Sequence, residues 1–275
     1  METQQIIQSL SYVTWVLLGG LALGSFGLAW LLRQATDATS GFTGVSGVLA
    51  AVIGFGWLWT EWSLPEPTEL AIESGAAYDE PRRAAIALFV VLALVAAVRL
   101  RRGGRALWLG AIAIVAGVVA LFLGGWGWGG GEPIGVCYFV PLLALSALTG
   151  GSRAAVVLAH WYRVTPQISE RPRVLTTQLL MVVLVVQLVL VGVWLAAGIP
   201  DLEPFEALTG DNMLFVWLRL VVGLLFPLLL TAMAYRTSLT RSMESATGLL
   251  YIQFALVMAS TIVATGLLFG EGLLV

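Results

Sequence analysis

Apolar runs in this chain are seldom interrupted, and that pattern dominates everything else. Eight stretches, at about 9–32, 43–62, 82–100, 106–125, 136–162, 174–198, 213–235 and 246–270, are each long and mostly apolar, with short polar segments between them. A helix rises about 1.5 Å per residue, so about 20 apolar residues cross a hydrocarbon core roughly 30 Å thick. The pattern predicts an all-α fold, a polytopic membrane helix bundle of about eight transmembrane helices. No linker, low-complexity run or soluble repeat parts the stretches, so residues 1–275 are expected to form a single transmembrane domain with no soluble domain. The opening Met1-Glu2-Thr3-Gln4-Gln5 lacks a basic segment and a small-residue cleavage site. The first apolar stretch therefore reads as a retained helix, not a removed signal peptide.

Composition sharpens this. Apolar residues make up 59% and charged residues 11% of the chain, against roughly 25% charged in a soluble domain. All 14 basic residues are arginine, which excludes a retinal Schiff base and other lysine chemistry. Cys137 is the lone cysteine and His160 the lone histidine. An intrachain disulfide, an iron–sulfur cluster or a bis-histidine haem therefore cannot be built from this chain alone. No nucleic-acid partner is expected; the lipid bilayer is.

Charge placement predicts the threading. Arg33, the group Arg99, Arg101, Arg102 and Arg105, the group Arg163, Arg171 and Arg173, and the pair Arg236 and Arg241 fall in alternate connections. The intervening connections are acidic. One carries Glu66, Glu69, Glu73, Asp79 and Glu80, offset by Arg82 and Arg83; the other carries Asp201, Glu203, Glu206 and Asp211. Arginine accumulates on the cytoplasmic side, so an inner (plasma) membrane location is expected, with both termini outside, in the periplasm. Trp57, Trp59 and Trp62, then Trp126 and Trp128, are expected in an outer aromatic belt, and Trp161 and Tyr162 in an inner one.

Glycine suggests packing. Gly19, Gly20, Gly24 and Gly27 lie in the first helix, and Gly20 and Gly24 have small-xxx-small spacing, which brings helix backbones close in lipid. The run from Gly124 to Gly131 lacks a Gly-Lys-Ser/Thr ending and reads as a flexible outer loop rather than a phosphate loop. Pro141 and Pro227 are expected to kink the fifth and seventh helices.

Polar residues inside spans are costly and so are candidates for function. Arg153 lies about ten residues before the inner end of its helix, roughly 15 Å deep. His160 follows seven residues later on nearly the same face, and Gln187 and Gln253 lie within later spans. These four suit a proton path open to the cytoplasm. The alternative is that Gly150-Gly151 breaks the helix and leaves Arg153 and His160 at the interface. In the outer half, Glu61 between Trp59 and Trp62, with Tyr12, Tyr138 and Arg219, offers a carboxylate, phenols, indoles and a guanidinium for a quinone headgroup. Its alternative is ordinary: Arg219 snorkels outward and Glu61 faces headgroups.

Several helices resemble a known family. The run from Trp15 to Gly27, WVLLGGLALGSFG, is similar to the Gly-Gly-x-Ala-x-Gly first helix of NrfD-like proteins, the membrane subunits of polysulfide reductase and the dimethyl sulfoxide reductase anchor. The run from Phe139 to Gly150, FVPLLALSALTG, resembles that family's Pro-Leu-x-x-x-x-Ser-x-x-x-Gly helix. The run from Arg219 to Pro227, and Gly270-Glu271, also look like it. The resemblance implies a haem-free subunit of a respiratory-type electron-transfer complex. Such a subunit binds quinone or quinol near the outer face and exchanges electrons with an iron–sulfur protein. It would not be catalytic alone. Glu61 would accept protons, with Tyr12, Trp59, Tyr138 and Arg219 around the headgroup. After the second helix the family often has an Asp/His-Leu-Gly-Arg-Pro turn. This chain has Trp59-Thr-Glu-Trp-Ser-Leu-Pro-Glu-Pro there, without the arginine and without an outer histidine. A small-molecule or ion transporter, and a structural or assembly subunit, are the other functions the pattern permits.

Overall fold

In hydrocarbon a backbone finds no hydrogen-bond partner but itself, so each apolar run closes into a helix. The computed structural model describes residues 3–102, 106–165, 167–198, 203–239 and 243–274. Its helices are α1 (Thr3–Ala35), α2 (Ser40–Trp62), α3 (Ala76–Arg101), α4 (Leu107–Trp128), α5 (Gly135–Val164), α6 (Arg171–Ala197), α7 (Met213–Leu239) and α8 (Met243–Glu271). There is no strand among the described residues, and all 8 helices are long and apolar enough to cross a membrane. The chain is a multi-pass, all-helical membrane protein. Arg105, Asp201 and Arg241 lie outside the described residues.

The central pair is α1 and α5, with α2, α3 and α4 packed on one side and α6, α7 and α8 on the other. Small residues make the central contact. A Cβ on Gly20 would fall 3.3 Å from the Ser146 Cα, and one on Gly24 would strike the Ser146 carbonyl. Gly150 lies against the backbone of Gly20, Gly24 and Ser25 in return. The expected small-xxx-small contact of the first helix is thus made with α5. Gly150 and Gly151 lie within an unbroken α5, so the proposed helix break is absent.

Other differences from the sequence pattern have physical causes. Most of the glycine run is helix rather than outer loop: α4 continues through Trp128, and Gly129, Gly130 and Gly131 turn, the last two at φ of 73° and 74°. A Cβ on Gly125 would lie 2.6 Å from the Phe139 nitrogen, so glycine lets the end of α4 rest on the start of α5. Helix α3 begins six residues before its apolar run, because Arg82 is folded inward rather than left in a loop. Trp57 and Trp128 are buried, not interfacial, whereas Trp59 and Trp62 are exposed as a belt requires. Arg173, read as a loop residue, is buried in the first turn of α6 and donates to Thr247. In α7, Leu218–Leu225 is π-helical and runs into Pro227, whose ring nitrogen has no hydrogen to donate.

Eight alternating spans put the connections α1–α2, α3–α4, α5–α6 and α7–α8 at one end, with their arginines. That end is stitched by Asp37, which accepts from the Ser169 hydroxyl at 2.6 Å and its N–H at 3.2 Å. The hydroxyl bond holds the Asp37 carboxyl below its ordinary pKa. At the acidic end, residues 63–75 form a cover. Ala71 N–H donates to Phe269 O and Glu73 N–H to Trp128 O, while Gln8 donates to the Thr68 hydroxyl. In the polar start of α1, Gln8 thus holds the cover and Gln5 donates to Gly270 O at the end of α8.

Candidate functional site

Under the cover, at the acidic end, lies a buried ion pair. Glu61 sits in the last turn of α2 with 1% of its surface exposed, and Arg82 in the second turn of α3 with 3%. Arg82 Nε donates to Glu61 Oε2 at 2.8 Å, and its Nη2 lies 2.8 Å from Oε1 and donates to Asp79 Oδ1 at 2.8 Å. Trp15 Nε1 donates to Glu61 Oε2 at 2.6 Å. The pair is not saturated: Glu61 Oε1 lacks a well-aimed hydrogen bond, and Arg82 Nη1 has no partner. Arg83 Nε approaches Oε1 only to 4.0 Å.

Aromatic rings wall the pair. Trp15 meets Trp57 edge-on at 5.1 Å between centroids and Trp128 at 4.9 Å. The Arg82 guanidinium stands 5.4 Å from the Trp128 ring centre and 6.0 Å from that of Trp15, within cation–π range. Tyr12, Trp15 and Gly19 share one face of α1 by their spacing. Trp57 lies flat across Gly19, where a Cβ would come within 2.6 Å of its ring. Helix periodicity and one missing side chain thus assemble the box.

Two cavities open here. The smaller, about 80 Å³, is bounded by Tyr12, Glu61, Pro65, Asp79, Arg82 and Trp128. The larger, about 580 Å³, is bounded by Leu70, Glu73, Trp128, Glu132, Ile134 and Tyr138. Trp128 borders both. The first offers acid–base groups, the second room for a small planar ring.

Of the residues expected around a headgroup, the structure gathers Tyr12 and Glu61 and brings Tyr138 to the neighbouring cavity. Tyr12 is committed, donating to Pro65 O at 2.8 Å. Trp59 is 65% exposed on the outside of α2 and takes no part. Arg219 neither snorkels nor joins Glu61. It is buried among α6, α7 and α8, donating to Gln187 Oε1 and Ser260 Oγ. The expected proton path is likewise divided. Gln187 meets Arg219, Gln253 donates to Ser152 Oγ at 2.9 Å, and Arg153 donates to Ser25 Oγ at 2.6 Å. His160 is exposed and apart from them. Hydroxyls fill the gaps along the α5–α8 contact, with Thr149 and Thr261 at 2.8 Å.

No protein-family model, no curated protein and no solved structure matches this chain.

Arg82, Trp15 and Trp128 were missed as site residues. Arg82 was discoverable: with Ile86, Phe89, Ala93 and Ala96 it follows the helical period of the buried face of α3. Counting it as a loop charge hid that phase. Ser260 carried no sequence signal beyond being one hydroxyl among many.

Proposed function

We propose that the chain is a haem-free subunit of a membrane electron-transfer complex that handles quinol at its acidic end, with that end facing the periplasm. The observation that carries this reading is the unsaturated Glu61–Arg82 pair, walled by aromatic rings beside a cavity that admits a ring. Oxidation of a quinol releases two electrons and two protons. Glu61 takes one proton on Oε1 and passes it through the partly exposed Asp79 to water; the second leaves by the same route once Glu61 is again a carboxylate. Arg82 Nη1 donates to a headgroup oxygen, while its Nε and Nη2 hold the Glu61 carboxyl in place. Tyr138 and Trp128 hold the ring from the larger cavity. The lone cysteine and lone histidine give this chain no ligand set for a cluster or a bis-histidine haem, so both electrons pass to a partner, and an iron–sulfur protein of the kind that serves NrfD-like membrane subunits fits. The arginine absent from the turn after the second helix is supplied here by Arg82 of α3.

The arginine-rich end suits the cytoplasm and the inner (plasma) membrane. The α5–α8 seam of Ser152, Gln253, Thr149 and Thr261 supports a second reading, proton movement through the chain, for which flux into proteoliposomes holding this chain alone is the test.

Quinol oxidation by the purified complex tests the first reading. Glu61→Gln removes the acceptor, and general-base catalysis contributes typically about 100- to 10,000-fold. A fall of at least about 100-fold in kcat, with Tyr138→Phe affecting mainly KM, is expected. An unchanged rate in Glu61→Gln contradicts it.

A further inference from the structure

Another buried cation, Arg219, lies among α6, α7 and α8 outside the Glu61 pair, and no carboxylate among the described residues pairs with it. Arg219 is 2% exposed. Its Nη1 donates to Ser260 Oγ and its Nη2 to Gln187 Oε1, both neutral, while its Nε has no partner. Helices α5, α6 and α7 contain no Asp or Glu, and α8 has only Glu244 and Glu271 at its ends. Among the described residues no ion pair reaches Arg219. Guanidinium does not discharge itself in proteins, and an unpaired buried charge is strongly disfavoured.

The surroundings are organised rather than accidental. Gln187 is fixed by donating from Nε2 to Ala144 O at 2.8 Å, so its amide oxygen is the atom left to face Arg219. Arg219 sits in the π-helical stretch of α7, a distortion that recurs at functional sites. Ser260 is admitted close to α7 because Gly223, one turn from Arg219, lacks a side chain; a Cβ there would strike the serine. Beside the guanidinium is a cavity of about 10 Å³, bounded by Pro141, Ala144, Gln187, Leu190, Trp194 and Arg219. That is room for about one water-sized particle, too little for a phosphate or an organic acid.

We propose that the Arg219–Gln187–Ser260 cluster binds one small monovalent inorganic anion of the size of chloride, held by the guanidinium as its counter-ion within the bilayer. A water molecule, somewhat smaller than chloride, would occupy the space without offsetting the charge. The site shares no residue with the Glu61 pair.

The test is thermal unfolding of the purified full-length protein in chloride, bromide and gluconate at equal ionic strength. Chloride and bromide should raise Tm saturably over gluconate, following the logarithm of anion concentration above the dissociation constant. Arg219→Met should abolish the halide shift. Equal Tm in all three salts, or an undiminished shift in Arg219→Met, overturns the proposal. Should Arg219→Met fail to fold, Ala144→Leu, which fills the cavity, decides: loss of the halide shift supports the site, and an undiminished shift overturns it.

Discussion

Glu61 and Arg82 show how a buried charge pair constrains its neighbours. Each charge loses water on entering the bundle, and that loss is offset only while the partner and the extra donors are present. Trp15 and Asp79 supply those extra contacts. Removing one charge strands the other, so Arg82→Met alone or Glu61→Leu alone should cost about 3–5 kcal/mol. The double variant Glu61→Leu/Arg82→Met should recover most of that loss, since an apolar pair of similar volume has no charge to desolvate. Chemical or thermal unfolding of the three variants measures it; additive losses in the double variant would show that the two side chains do not act as a pair. Glu61 was legible in the sequence as an acid between two tryptophans, yet its partner was not. Arg82 follows Asp79, Glu80 and Pro81, and composition alone assigns such a run to a loop; only its phase with Ile86 and Phe89 places it on the buried face.

At the level of elements, the decisive contact is α1 against α5. Gly24 and Gly27 are one turn apart and alike in sequence, but their surroundings differ sharply. A Cβ on Gly24 runs into the backbone of Ser146, whereas one on Gly27 meets nothing within 4 Å. Backbone cannot yield as a side chain can, so Gly24→Ala should destabilise by about 1–3 kcal/mol. Gly27→Ala should be neutral or stabilising by up to about 1 kcal/mol through helix propensity. Comparing the unfolding midpoints of the two variants checks this, and equal effects would contradict the close approach. The length of the apolar runs reveals the existence and order of all eight helices, because a bilayer demands about the same length of every span. It missed where polar residues extend a helix. Gln5 and Gln8 hold Gly270 O and the cover, and no local pattern announces a partner 60 or more residues away.

For the whole molecule, two polar centres are separated by the α1–α5 pair. One, at the acidic end, holds Glu61, Arg82 and the tryptophan box; the other, among α6, α7 and α8, holds Arg219, Gln187 and Ser260. Sequence position gave no hint of this division, since Glu61 late in α2 and Arg219 early in α7 both fall toward the acidic end of the bundle and only packing sends them to different neighbours. The split removes Arg219 and Trp59 from the proposed headgroup site and puts Arg82 and Trp128 in their place. Calorimetric titration of the purified full-length protein, in nanodiscs, with a short-tailed quinol tests that assignment most directly. The account predicts saturable binding at one site, weakened at least tenfold by Arg82→Met or Tyr138→Phe and unaffected by Trp59→Leu. Absence of binding to the wild-type protein, or equal affinity in the Arg82 and Tyr138 variants, would contradict it.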